Sequence, residues 1–221
     1  MKSEKIEFKH QLSKIYLEIA RSIVNQPLQD LCIWYRQSDR NIDDQNKFLN
    51  IGYGILSISC IYSYLSIESF CNRQLFEASD YVSKVKPDID RLRKQGIKLE
   101  PLYGEKFEPY RPENYFFELK EKVKNLCEYF KLEPISKQDP KLWDDFNQLL
   151  KDTRHFFVHP KPFPKEFQEY MSKILGEHKP ITYIRIAEDI LKYFYQGMKY
   201  EIPNWLQKNE LFKFKGIEVI K

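Results

Sequence analysis

Residues 48–67 read FLNIGYGILSISCIYSYLSI, twenty positions without a charge. A run of this length can span a bilayer. Its composition points elsewhere: Asn50, Gly52, Gly54, four serines and three tyrosines interrupt it. Its flanks, with Asp43, Asp44 and Lys47 before it and Glu68 after it, make poor membrane anchors. A helix that is apolar on most faces has to be packed by several others. The stretch is therefore expected to be the buried centre of a long helix, from about Asp44 to Ser79. Beyond Ile67 the pattern turns amphipathic at Glu68, Asn72, Arg73 and Glu77.

On the N-terminal side, Leu12, Ile15, Tyr16, Ile19 and Ile23 recur at spacings of three and four. They predict an amphipathic helix from Ile6 to about Tyr35, kinked or restarted at Pro27. The polar run from Gln37 to Gln45 predicts a loop. On the C-terminal side, Pro87, Pro101, Pro109 and Pro112 with Gly96 and Gly104 mark 80–112 as an irregular insertion. A short helix over Pro87–Lys94 is expected inside it. Further helices are expected over Glu113–Leu132, from Asp139 to about His159, over Lys165–Leu175 and over Ile181–Tyr200. Asp139 followed by Pro140 is a helix-start signal. Residues 203–221 read as a C-terminal tail, extended or a short strand over 212–220. With no internal repeat and no βαβ alternation, the chain reads as one all-α domain over 1–221, a helical bundle around a long central helix.

Composition bounds the chemistry. The 221 residues are 42% hydrophobic and 31% charged, a mixture that can bury a core. Only 7 are glycine, and Gly52-Tyr53-Gly54 lacks both a third glycine and a preceding strand, so a glycine-rich nucleotide loop is excluded. Basic residues number 36 against 32 acidic, a balance that permits an anionic partner without demanding one. Lys84, Lys86, Arg91, Arg93, Lys94 and Lys98 form a charge-rich group, either a solvated face or a track for RNA. Cys32, Cys60, Cys71 and Cys127 lie at no metal-knuckle spacing, so no metal or other cofactor is expected and the thiols read as small buried side chains. MKSEKIEFKH at the start has no apolar core of a secretory signal, and a cytoplasmic protein that does not enter membranes is expected.

The densest mixture of titratable and aromatic residues is KDTRHFFVHP, residues 151–160. Arg154 offers a planar fork that can clamp a phosphate. A histidine, His155 or His159, can move a proton near neutral pH. Those are the two needs of RNA cleavage without a metal: a proton carrier, and a cation on the crowded phosphorus. On a straight helix Arg154 and His159 would stand about 140° apart. Convergence then needs the turn unwound by Pro160, or a second copy of the chain. The bland alternative is that His155 and His159 are cationic groups complementing a helix C-terminus.

Arg154 to His159 has the form R-x4-H followed by proline. Upstream, SIESFCN over 66–72 is similar to the Glu-x-Phe-x-Asn end of a long core helix. Together these resemble the HEPN superfamily, over Asp44–Ser79 and Asp139–Tyr200, about half the chain. The resemblance implies a helical bundle, commonly dimeric, with two R-x4-6-H motifs facing across a cleft. It also implies metal-independent endoribonuclease activity in toxin–antitoxin or other prokaryotic defence systems. Carried onto this chain, Arg154 and His159 take the motif's defining positions. His155 stands where asparagine is commonest and would be auxiliary. Glu68 and Asn72 would orient the motif. Lys151, Lys161 and Arg73 are the nearest candidates for holding RNA. The expected partners are RNA, a second copy completing a composite site, and an antitoxin or other defence protein. The rival expectation is a non-catalytic helical module of the same shape that binds nucleic acid or a partner protein.

Overall fold

The computed structural model describes residues 11–37, 42–99, 118–147, 154, 158 and 180–207, with the backbone course alone for 25–37, 42–50 and 180. All regular structure among these residues is helical, and the fold is all-α. The helices are α1 (Gln11–Gln37), α2 (Ile42–Lys94), α3 (Leu119–Tyr129), α4 (Ile135–Gln138), α5 (Pro140–Asp145), α6 (Pro180–Gly197) and α7 (Asn204–Gln207). The expected helix over Lys165–Leu175, the strand over 212–220 and the segment 100–117 lie outside the described residues.

α2 is the spine: α1, α3 and α6 all pack on it. The pairing with α1 is antiparallel. Ser66 donates its hydroxyl to the Ser13 carbonyl at 3.0 Å, and the ring of Tyr62 lies 5.9 Å from that of Tyr16. The core gathers Leu17, Ala20 and Val24 of α1, Leu56, Cys60, Ile67 and Phe70 of α2, Val123 and Leu126 of α3, and the apolar stripe of α6. Phe70 sits between Phe194 and Tyr195, at 5.6 and 5.7 Å between ring centres. By length and composition α2 is long and apolar enough to cross a membrane, and 56% of its most apolar window is buried inside this bundle.

Several boundaries differ from expectation: α1 is one helix through Pro27, and α2 opens at Ile42, inside the expected loop. Two differences are larger. First, α2 does not stop at Ser79: residues 80–94, expected as part of an irregular insertion with a separate short helix over Pro87–Lys94, continue it through Pro87. Proline there removes one backbone hydrogen bond. Exposed side-chain pairs flank the proline and add only weakly to the helix: Lys84 with Asp80 at 2.6 Å and Arg91 with Asp88 at 3.0 Å. Arg91, Arg93 and Lys94 also place positive charge at the C-terminal end of the helix dipole. The helix stops at Gly96, whose φ of 83° suits glycine, with Ile97 N–H donating back to the Leu92 carbonyl. Second, the tail assigned to 203–221 begins with α7, whose Trp205 and Leu206 are buried. Two large apolar side chains on one turn are enough to dock it.

α3 and α6 end in the same reverse-bonded cap as α2, but with lysine in the left-handed position: Lys131 at φ 54° and Lys199 at φ 57°. The two ends lie side by side. Gly197 is tightly approached by Leu132, whose Cδ1 would stand 2.7 Å from an added Cβ. α5 starts as its sequence requires, with the Asp139 carboxylate accepting from Leu142 N–H at 2.9 Å and Pro140 in the first turn. It widens to a π turn at Phe146 and Asn147.

A buried ion pair fixes the far side of the bundle. Arg21, 8% exposed, donates to Glu188 Oε1 from Nε at 3.1 Å and from Nη2 at 2.7 Å, and from Nη1 to the Trp205 carbonyl. One guanidinium thus ties α1, α6 and α7. Breaking such a pair leaves a charge stranded, at a cost of about 3–5 kcal/mol. Arg21→Met should therefore lower stability by roughly that amount in urea titration and loosen Trp205, read as a red shift of tryptophan emission. A change below about 1 kcal/mol would contradict the clamp. Lys199→Gly should raise stability by about 0.5–1 kcal/mol, since glycine alone takes the left-handed cap without strain. Loss of stability in the same titration would contradict that reading of the cap.

Candidate functional site

The spine carries Cys60, Tyr64, Glu68 and Asn72 at intervals of four, which places them along one face. Three chain segments meet there. Arg154, helical and half-buried, sets its guanidinium carbon 4.7 Å from the centre of the Tyr64 ring. One turn further along, Glu68 accepts from the Lys122 ammonium of α3 at 2.8 Å. Glu118, just ahead of α3, acts electrostatically on the Tyr64 phenol.

The positions expected from sequence fall out unevenly. Arg154 and Glu68 lie on the same stretch of the spine, each beside the Tyr64 ring or one turn from it. Asn72 is half-buried on the next turn. Arg73 faces outward and pairs with Glu77 at 3.0 Å, so it is not the partner of Glu68. His155, His159, Lys151 and Lys161 lie outside the described residues. Tyr64, Lys122 and Glu118 are additions to the expected set. Lys122 had a signal in the sequence: with Leu119, Val123 and Leu126 it completes an apolar stripe at spacings of three and four. A lysine in such a stripe has to find an anion.

Burial sets the protonation states. It pushes the Tyr64 phenol up to about 12, with the Glu68 charge adding to the rise and the Arg154 guanidinium opposing it. Tyr64 is thus a neutral hydroxyl near neutral pH. Burial also pushes the thiols of Cys60, Cys71 and Cys127 upward, which leaves them protonated and poorly nucleophilic. Among the described residues no three His, Cys, Asp or Glu side chains cluster as metal ligands would. A separate, mostly apolar pocket of about 200 Å³ lies between α3, α4 and α5, floored by Val123, Cys127 and Ile135 and walled by Trp143. It shares no residue with the Arg154 group.

A cation held by a ring face differs from one held by a carboxylate. The ring contributes about 0.5–2 kcal/mol and does not occupy the N–H fork, which is left to bind an anion. Lys122, by contrast, is neutralised where it stands. The arrangement therefore presents one available guanidinium beside one anchored carboxylate, a pairing suited to gripping a phosphate and orienting a donor next to it.

No family model, curated protein or solved structure matches the chain.

Tyr64→Phe keeps the ring under Arg154 and removes the phenol. In the wild type the unfolded phenol loses its proton near pH 10 and the folded one near 12. The folded state then holds more protons in that window, and stability falls as pH rises through it. The variant should lose stability less steeply between those pH values when urea midpoints are followed. Parallel slopes would show that Tyr64 titrates normally.

Proposed function

We propose that the chain is a metal-independent endoribonuclease of HEPN type. The observation that carries this reading is the seating of Arg154, the arginine of the R-x4-H string, on Tyr64 of the spine, one turn from Glu68. Arg154, which opens the R-x4-H string, thus stands on the spine one turn from Glu68 of the other stretch, 66–72. In a protein where Arg154 only solvated a helix end, nothing would call for that meeting.

The chemistry follows from the groups. Arg154 grips the scissile phosphate and stabilises the charge that builds on its oxygens. A 2′-oxygen attacks the phosphorus and gives its proton to the neutral imidazole of His159, the bond from phosphorus to the 5′-oxygen breaks, and the imidazolium so formed returns that proton to the leaving oxygen. The products are a 2′,3′-cyclic phosphate and a free 5′-hydroxyl. His155 assists, while Glu68 and Asn72 orient the groups around the phosphate. A second copy of the chain brings a second motif to the cleft, since one protomer offers few groups at convergent spacing. The setting is the cytoplasm of a prokaryote, in a defence or toxin system whose antitoxin masks the site.

The test is cleavage of a labelled RNA in the presence of a chelator. Wild type should cleave and leave cyclic-phosphate ends. Arg154→Ala and His159→Ala, with unchanged circular dichroism, should each lose at least about 100-fold in kcat/KM. Inert wild-type protein at every concentration would place the chain with non-catalytic helical modules, and full activity in either variant would mean that this motif does not carry the cleavage.

A further inference from the structure

Lys122 is 1% exposed, among the most deeply buried large side chains of the protein. Removing an ammonium from water costs several kcal/mol, and a methionine of similar volume would fill the same space without that cost. The hydrogen bond that neutralises it is to Glu68 Oε1 at 2.8 Å. Glu68 itself is 26% exposed. The pair therefore stands at a boundary, with the cation beneath and the carboxylate reaching the surface beside Tyr64 and Arg154. The Lys122 hydrogen bond goes to Oε1, one of the two carboxylate oxygens of Glu68. Beside the ammonium stands the neutral thiol of Cys71, and beside Arg154 the neutral Tyr64 phenol, on which Glu118 also acts.

We propose that Lys122 is a positioning residue of the ribonuclease site: its buried ammonium anchors Glu68 on the spine and aims the free carboxylate oxygen at the groups gathered around Arg154. This rests on the ribonuclease reading above. A carboxylate tethered from below has one orientation. An untethered one at 26% exposure rotates and forms hydrogen bonds with water. A freely rotating Glu68 would orient the reacting groups only part of the time, which lowers kcat and leaves RNA binding through Arg154 intact.

The test compares Lys122→Met, Glu68→Gln and the double variant on labelled RNA, each checked by circular dichroism. Each single variant is expected to lose about tenfold or more in kcat with KM changed by less than about threefold. The double variant should be no slower than the worse single one, because both changes remove the same tether. If Lys122→Met fails to fold, the double variant, which buries no unpaired charge, is compared with Glu68→Gln alone and should match it. Wild type that cleaves while Lys122→Met stays within about twofold in kcat overturns the positioning role and leaves the nuclease reading standing. So do losses that add in the double variant. Wild type that does not cleave overturns both.

Discussion

An ammonium that water does not reach must be met by an anion, and in this bundle that demand decides where α3 sits on the spine. Lys122 lies in the apolar stripe of α3, so α3 can bury the stripe only where α2 offers a carboxylate. Glu68 is that carboxylate, at 2.8 Å. The same rule operates on the opposite side. Arg21 stands among Leu17, Ala20 and Val24, Glu188 among Ile184, Ala187 and Leu191, and the two meet at 2.7 Å. Apolar stripes alone would let helices slide by a turn. Misplaced by one turn, either pair would strand a charge, at about 3–5 kcal/mol. The buried pairs thus set the register that hydrophobic packing leaves open.

The candidate site is a consequence of that register. With α3 locked at Glu68, the Tyr64 ring one turn away receives Arg154, and Glu118, just ahead of α3, acts on its phenol. The guanidinium meets an aromatic face and a neutral phenol, with the Glu68 and Glu118 carboxylates acting on the same phenol. The carboxylate is tethered at one oxygen. The phosphate-directed chemistry proposed for this chain rests on these two features.

Much of this was legible in the sequence because helices declare themselves by period. The uncharged run at 48–67 announced a spine, Asp139-Pro140 announced the start of α5, and Ile181–Tyr200 differs from α6 by a few residues. The continuation of α2 through Pro87 was not legible, because proline weighs heavily as a breaker and the ion pairs beside it are exposed and weak. α7 is a single turn, too short to show a period. At the site, Arg154 and Glu68 stood out by residue type and local pattern. Tyr64 and Lys122 did not, since each reads as part of an apolar stripe until the neighbouring helix is in place. A charged residue inside such a stripe was the signal that carried the missing information.

The most direct measurement is the proton spectrum of the Arg154 side chain in selectively labelled protein. With the guanidinium over the Tyr64 ring, its δ-methylene and ε protons should be displaced upfield by the ring current and return to ordinary positions in Tyr64→Leu. Ordinary arginine shifts in the wild type, unchanged by Tyr64→Leu, would mean that Arg154 does not meet the spine, and the site built on that meeting would be withdrawn.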